Sequence, residues 1–134
     1  MKYSTYILFT LFIIFGGQNT FAQNIPCEKY MTKDFISDGQ YYNTPIKTGE
    51  VKTFKLTLQG GNTYRIVACA ELSPYINFKL IDQDGNVLFK NTDYNNAPYW
   101  DFQIKNTIEC TINLYINNPN ITIDNAIVII GYKQ

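Results

Sequence analysis

The feature that most constrains the fold is a regular alternation of apolar and mostly polar residues between Thr107 and Ile116. Only an extended strand places every second side chain on the same face, so this stretch predicts a β-strand with one buried face. A strand of this kind needs another apolar layer to pack against. The residues predicted to face that layer are Ile108, Cys110, Ile112, Leu114 and Ile116.

Similar strand patterns recur along the chain, with turn residues between them. The apolar run from Ala126 to Ile130 predicts a strand at the centre of its sheet, whereas Pro45 predicts that a strand at 40–46 lies at an edge. Helical spacing between 27 and 36 predicts at most one short N-terminal helix. Seven or eight strands of this kind predict an all-β fold, an antiparallel, jelly-roll-like β-sandwich.

Residues 1–22 have the pattern of a signal peptide. A basic Lys2 precedes an apolar run at 7–15, and Thr20-Phe21-Ala22 predicts cleavage near Ala22. The apolar run is shorter than the about 20 residues that cross a bilayer. We therefore expect residues 23–134 to form a single secreted or periplasmic domain, with no membrane span after cleavage.

The composition argues against several classes of function. Eleven basic and eleven acidic residues give a formal net charge of zero, and no basic cluster is present, so we expect no nucleic-acid partner. The chain has no histidine, which removes the commonest general base and the commonest zinc ligand. No phosphate-binding loop or nucleophile motif is found. We expect a protein that is not an enzyme, with no catalytic residue, no metal site and no cofactor.

Three cysteines allow at most one internal disulfide after export, and three pairings are open. Cys110 lies on the apolar face of its strand. Cys69 lies on the face opposite to Tyr64 and Ile66, which disfavours a Cys69–Cys110 bridge. Cys27 is the third cysteine, and buried free thiols are an equal alternative.

The loop Asp82-Gln83-Asp84-Gly85-Asn86 has oxygen donors at alternate positions, as a calcium loop does. The glycine required by an EF-hand is missing, because Val87 stands at the sixth position. We therefore interpret the loop as a hairpin turn, with Gly85 at a positive-φ position and Asp84 and Asn86 bonding local backbone groups. Whether calcium binds there is left open.

The densest aromatic and amide segment of the chain lies between Asp93 and Phe102. Trp100, Phe102 and Ile104 share an apolar face and are predicted to be core. Aromatic rings beside carboxylates and amides are typical of a sugar-binding surface. The surface candidates for ligand binding are Tyr94, Tyr99 and Asp101, together with Tyr41 and Tyr42.

Several motifs resemble those of known bacterial proteins. Residues 49–116, with Gly61-Asn62-Thr63-Tyr64-Arg65-Ile66, resemble the β-sandwich of bacterial pre-peptidase C-terminal domains. Nearly the whole chain after the leader is similar to small exported proteins of Bacteroidetes-type bacteria. These resemblances imply a β-sandwich, and the first implies an accessory module; neither implies a catalytic residue. The motifs of the second are 64–69, 84–89, 99–102 and 131–133.

Together these features predict an exported, non-catalytic binding module at or beyond the bacterial cell envelope. The expected ligand is a glycan or an envelope protein. One alternative is a small secreted hydrolase or inhibitor that acts on extracellular polymers. Another is a structural envelope component that pairs through the edge strand at 40–46. The oligomeric state is left open.

Overall fold

A computed structural model describes residues 27–134, so the predicted signal peptide and its cleavage site near Ala22 lie outside the described residues. Eight strands form two four-stranded antiparallel sheets, which confirms the all-β sandwich. Two 3-10 turns, Glu28–Tyr30 and Asn91–Tyr94, are the only helical elements between residues 27 and 134. The strands are β1 (Ile36–Lys47), β2 (Val51–Leu58), β3 (Asn62–Ala70), β4 (Asn77–Asp82), β5 (Val87–Lys90), β6 (Tyr99–Ile104), β7 (Ile108–Tyr115) and β8 (Ile123–Lys133).

The first sheet has the strand order β1-β8-β3-β6, and the second has the order β2-β7-β4-β5. Aromatic pairs join the sheets along both long sides. Tyr42 of β1 packs on Phe54 of β2 with 4.5 Å between ring centroids, and Trp100 of β6 packs on Phe89 of β5 at 5.0 Å. The edge strands of one sheet therefore lie over the edge strands of the other.

The alternating residues of β7 supply the centre of the core, as the sequence predicts. Ile112 and Leu114 have no exposed surface, and they share a core cluster with Ile66 and Ile130 of the first sheet. Each buried side chain of this size stabilises the fold by about 1.5–3 kcal/mol. The predicted core residues Trp100, Phe102 and Ile104 are partly buried and pack against the same cluster.

The central position predicted for the last strand is also confirmed, since β8 lies between β1 and β3. Val128 and Ile130 face the core between the sheets, whereas Ile127 and Ile129 belong to a second buried cluster on the outer face of the first sheet. A strand buried on both faces has no polar alternation, which explains the continuous apolar run. The strand that contains Pro45 is an edge strand, as predicted.

The second cluster is covered by the N-terminal segment 27–35. A disulfide joins Cys27 to Cys69 of β3, with 5.8 Å between the Cα atoms, and Phe35 is buried at the other end of the segment. The helix predicted around 27–36 amounts to one 3-10 turn. Gly131 of β8 makes room for this cover, because a Cβ there would lie 2.5 Å from the sulfur of Met31.

The pairing of Cys27 with Cys69 settles the three possibilities left open by the sequence, and Cys110 is the free cysteine among the described residues. Cys69 and Cys110 lie on opposite faces of their sheets, as predicted. The bridge closes a loop with a sequence separation of 42. In the chain-entropy view such a closure stabilises the fold by about 3–4 kcal/mol. Burial raises the pKa of the Cys110 thiol to about 11.

We predict that the native protein does not react with a thiol reagent at pH 8. The thiolate is the reactive form, and a thiol with a pKa near 11 that is also buried is almost fully protonated at that pH. Unfolding in guanidinium without reductant should release one reactive thiol per chain. A non-reducing peptide map should link Cys27 to Cys69. Rapid labelling of the native protein, or a crosslinked peptide that contains Cys110, would contradict this account.

Candidate functional site

A concave surface lies at the end of the sandwich where β1, β3 and β7 begin. This end groove has a volume of about 1160 Å³ and receives residues from both sheets. It is mostly polar, although Tyr64 and Leu56 line its inner part. Its polar lining includes Ser37, Asp38, Gln40, Lys55, Asp82 and Glu109.

A β-bulge in β1 forms one rim of the end groove. The register of β1 against β8 shifts between Ser37 and Tyr41, so the residues between them are looped out of the sheet. Gly39 has a φ of 82°, a left-handed conformation that favours glycine. The backbone N–H of Gly39 donates to Ser37 Oγ at 3.2 Å, and that of Gln40 donates to Asp38 Oδ1 at 2.8 Å. The bulge is therefore held in one shape by its own side chains.

The carboxylates around the end groove outnumber its lysine. Asp38, Asp82 and Glu109 face a single cation, Lys55, among the groove residues. Burial raises the pKa of Asp38, although hydrogen bonds from Gln40 partly oppose the rise. At neutral pH the groove carries a net negative charge, which favours a positively charged partner surface.

The loop Asp82–Asn86, which also borders the end groove, is a hairpin turn between β4 and β5. Gly85 has a positive φ of 85°, as predicted. The expectation that Asp84 and Asn86 bond the backbone is wrong. Asp82 has this role, since its Oδ1 accepts the N–H groups of Asp84 and Asn86 at 3.0 and 2.8 Å. The side-chain hydrogen bond from Asn86 is the largest of several that lower the pKa of Asp82.

Two of the predicted ligand residues, Tyr99 and Asp101, belong to a cluster around Arg65. The guanidinium of Arg65 donates to both carboxylate oxygens of Asp101 at 2.7 and 2.9 Å, and to the backbone oxygen of Tyr30 at 2.9 Å. Its Cζ lies 4.4 Å from the ring centroid of Tyr99 and 4.3 Å from that of Phe35. The face of β6 that carries these two predicted surface residues is thus partly covered by the N-terminal segment.

The third predicted residue, Tyr94, lies on the long side of the sandwich where β5 and β6 meet. Its ring stacks on Phe89 with 5.4 Å between centroids and lies 4.3 Å from the centroid of Trp100. It is 49% exposed, so one face of the ring remains in contact with solvent. Tyr94 therefore adds a third ring to the aromatic contact between Phe89 of β5 and Trp100 of β6.

The last two predicted residues, Tyr41 and Tyr42, point to opposite faces of β1. Tyr42 packs on Phe54, and its hydroxyl donates to Gln40 Oε1 at 2.9 Å, whereas Tyr41 is exposed. The five predicted residues thus do not form one site: Tyr99 and Asp101 lie beside Arg65, Tyr94 lies elsewhere, and Tyr41 and Tyr42 are on opposite faces of β1. Ligand binding by these residues stays a prediction.

The end groove could not be predicted from the sequence. Its residues come from six strands, and no local pattern joins them. The sequence predicts the first strand only at 40–46, so Gly39 falls outside it and gives no sign of the bulge that the longer β1 contains.

We predict that Tyr99→Ala lowers the free energy of unfolding by about 2 kcal/mol, because it removes the ring stacked on Arg65. Tyr41→Ala is the matched control, since the same ring is removed from an exposed position on an edge strand. We expect its effect to stay within about 1 kcal/mol. Guanidinium titrations measure both. Equal effects would show that the contacts of Tyr99 do not stabilise the fold.

In the described part of the chain, no group of three or more His, Cys, Asp or Glu side chains is placed to hold a metal ion. None of the helical elements found between residues 27 and 134 has the length and apolar character needed to cross a membrane.

The fold and the end groove define an antiparallel β-sandwich with a polar cleft at one end. A solved structure with a similar fold is that of Aeromonas hydrophila PliG, a periplasmic lysozyme inhibitor of g-type lysozyme. The two share 11% sequence identity with a TM-score of 0.56, and the match covers 77% of this chain and 91% of that one. No protein-family model matches the chain, and no curated protein matches it significantly. The resemblance to pre-peptidase domains and to small Bacteroidetes-type proteins stays a prediction.

Proposed function

We propose that this protein is an exported, non-catalytic module that binds and inhibits a glycan-cleaving hydrolase of the lysozyme class. The observation that carries the proposal is the likeness in fold to a periplasmic inhibitor of g-type lysozyme, which extends over most of both chains. An inhibitor of this kind agrees with the export and the non-catalytic binding role that the sequence predicts.

The end groove is the surface that we assign to the partner. Its bulged rim is fixed by hydrogen bonds within Ser37–Gln40, so little conformational entropy is lost when a partner docks on it. The three carboxylates of the groove favour a partner with a basic surface and accelerate encounter with it.

The chemistry of the groove supports binding rather than hydrolysis. Glycoside hydrolysis uses two carboxyl groups, one on each side of the scissile bond. Both oxygens of Asp38 accept hydrogen bonds from Gln40, and both oxygens of Asp82 accept hydrogen bonds within its own turn. These two carboxylates therefore stabilise the loops around the groove.

The direct test is the activity of a g-type lysozyme in the presence of the exported protein, expressed from the full chain and purified in its processed form. We expect inhibition that saturates near one protein per lysozyme. A c-type lysozyme in a parallel assay shows whether inhibition is restricted to one type. If the protein neither binds nor inhibits either lysozyme at micromolar concentrations, the proposal is wrong.

The groove can be tested separately with a charge reversal. Glu109→Lys changes an exposed groove residue, and we expect lysozyme binding to weaken about tenfold through slower association. Asp93→Lys is the matched control, because it makes the same charge change at an exposed position outside the groove lining. An equal loss in both variants would indicate that net charge, and not the groove, determines binding.

A further inference from the structure

The N-terminal segment 27–35 lies on the first sheet without belonging to it. The backbone N–H groups of Tyr30, Met31 and Phe35 donate to carbonyl oxygens within the segment itself, at 3.0, 3.0 and 3.1 Å. Within the described residues, the backbone of the segment is bonded to the sheet only where Arg65 donates to the backbone oxygen of Tyr30 at 2.9 Å. The segment can therefore detach without breaking the pairing between any two strands.

The disulfide is the covalent attachment of this segment to the first sheet. At its last residue the segment continues into β1, which begins at Ile36, whereas its first residue, Cys27, is joined to Cys69 of β3. Holding a segment with little regular structure in one conformation costs conformational entropy. The bridge lowers this cost, because it keeps the first residue of the segment at the sheet in every conformation that the segment can adopt. Reduction of the bridge therefore favours detachment.

The core between the sheets does not depend on the bridge in the same way. Its buried residues form one cluster, which contains neither of the bridged cysteines. Cys27 belongs instead to the second cluster, on the outer face of the first sheet, with Val67, Ile127 and Ile129. These three apolar side chains are 0%, 1% and 9% exposed under the segment. Detachment of the segment opens an apolar strip there and leaves the core between the sheets covered.

The redox state of the two cysteines depends on the compartment. Disulfides are rare in the reducing cytosol and form after export to an oxidising compartment, which is where the expected signal peptide directs the chain. Formation of the bridge removes two electrons and two protons from the thiols of Cys27 and Cys69. A disulfide-bearing oxidoreductase accepts them as its own disulfide becomes a dithiol, and the exchange passes through a mixed disulfide. Reduction by a dithiol reverses each step.

We propose that the N-terminal segment is a redox-controlled strap. It closes over the outer face of the first sheet when the Cys27–Cys69 bridge forms, and it detaches as far as Ile36 when the bridge is reduced, while the two sheets stay folded. The last step of folding is thereby coupled to arrival in an oxidising compartment. The strap does not rest on the proposed inhibition of a hydrolase, because neither bridged cysteine lines the end groove.

The test is limited digestion with trypsin, for which the segment contains two sites, Lys29 and Lys33. The processed protein is reduced with dithiothreitol, desalted and digested beside the untreated protein. Cleavage after these lysines should be about tenfold faster in the reduced protein, because a protease needs the chain to open locally around its site. The fluorescence of Trp100, which packs on Phe89 between the sheets, should keep its native spectrum. Glutathione disulfide should restore the resistance to cleavage.

Two results with the unaltered protein would overturn the proposal. Equal cleavage of the reduced and oxidised forms would show that the segment stays attached without the bridge. Loss of the native Trp100 spectrum on reduction would show that the bridge stabilises the whole domain and not the strap alone.

Cysteine variants separate the bridge from the remaining thiol. The double variant Cys27→Ser, Cys69→Ser should be cleaved as fast as the reduced protein, with or without dithiothreitol. Cys110→Ala is the matched control, because it removes the thiol outside the bridge and should keep the full difference between the two states. If this difference disappears in Cys110→Ala, the bridge does not control the segment and the proposal is wrong.

Discussion

The attachment of the N-terminal segment to the first sheet determines which faces of the rest of the structure are exposed. The Cys27–Cys69 disulfide holds one end of this segment, and the guanidinium of Arg65 holds the other through the Tyr30 backbone oxygen and the Phe35 ring. The segment covers Ile127 and Ile129 on the outer face of β8. Without this cover, a long strand of apolar residues would be exposed on one side.

This cover has a consequence for function. It removes the middle of the outer face of the first sheet as a binding surface and engages Tyr99 and Asp101 in contacts with Arg65. We therefore propose that recognition takes place at an end of the sandwich, where residues from both sheets meet. The ends differ in chemistry, since the groove at one end carries carboxylates, whereas the surface around Ser73 and Tyr115 at the other end has no charged residue in its lining.

Much of the fold could be predicted from the sequence because the burial of a strand on one or both faces produces a local pattern of apolar residues. The alternation in β7 and the apolar run in β8 give the buried faces directly, and Pro45 indicates an edge. The environment of Tyr99 could not be predicted in this way. Its partner Arg65 stands opposite Asp101 on a neighbouring strand, and the register between two strands is a property of the folded sheet.

The covering segment 27–35 and the end groove could not be predicted from the sequence for a related reason. Residues 27–35 form almost no regular structure, so no period shows which sheet they cover. The end groove arises where strands distant in sequence converge. At the other end of the sandwich, Ser73 and Asp124 are likewise joined although they are 51 residues apart.

The central claim is that recognition takes place at an end of the sandwich and not on the aromatic segment 94–101. The most direct measurement is NMR mapping of the ¹⁵N-labelled processed protein as a g-type lysozyme is added. The account predicts that amides of the end groove, such as those of Asp38, Gln40 and Glu109, shift or broaden first. Perturbations that centre instead on Tyr94, Tyr99 and Asp101 would contradict it.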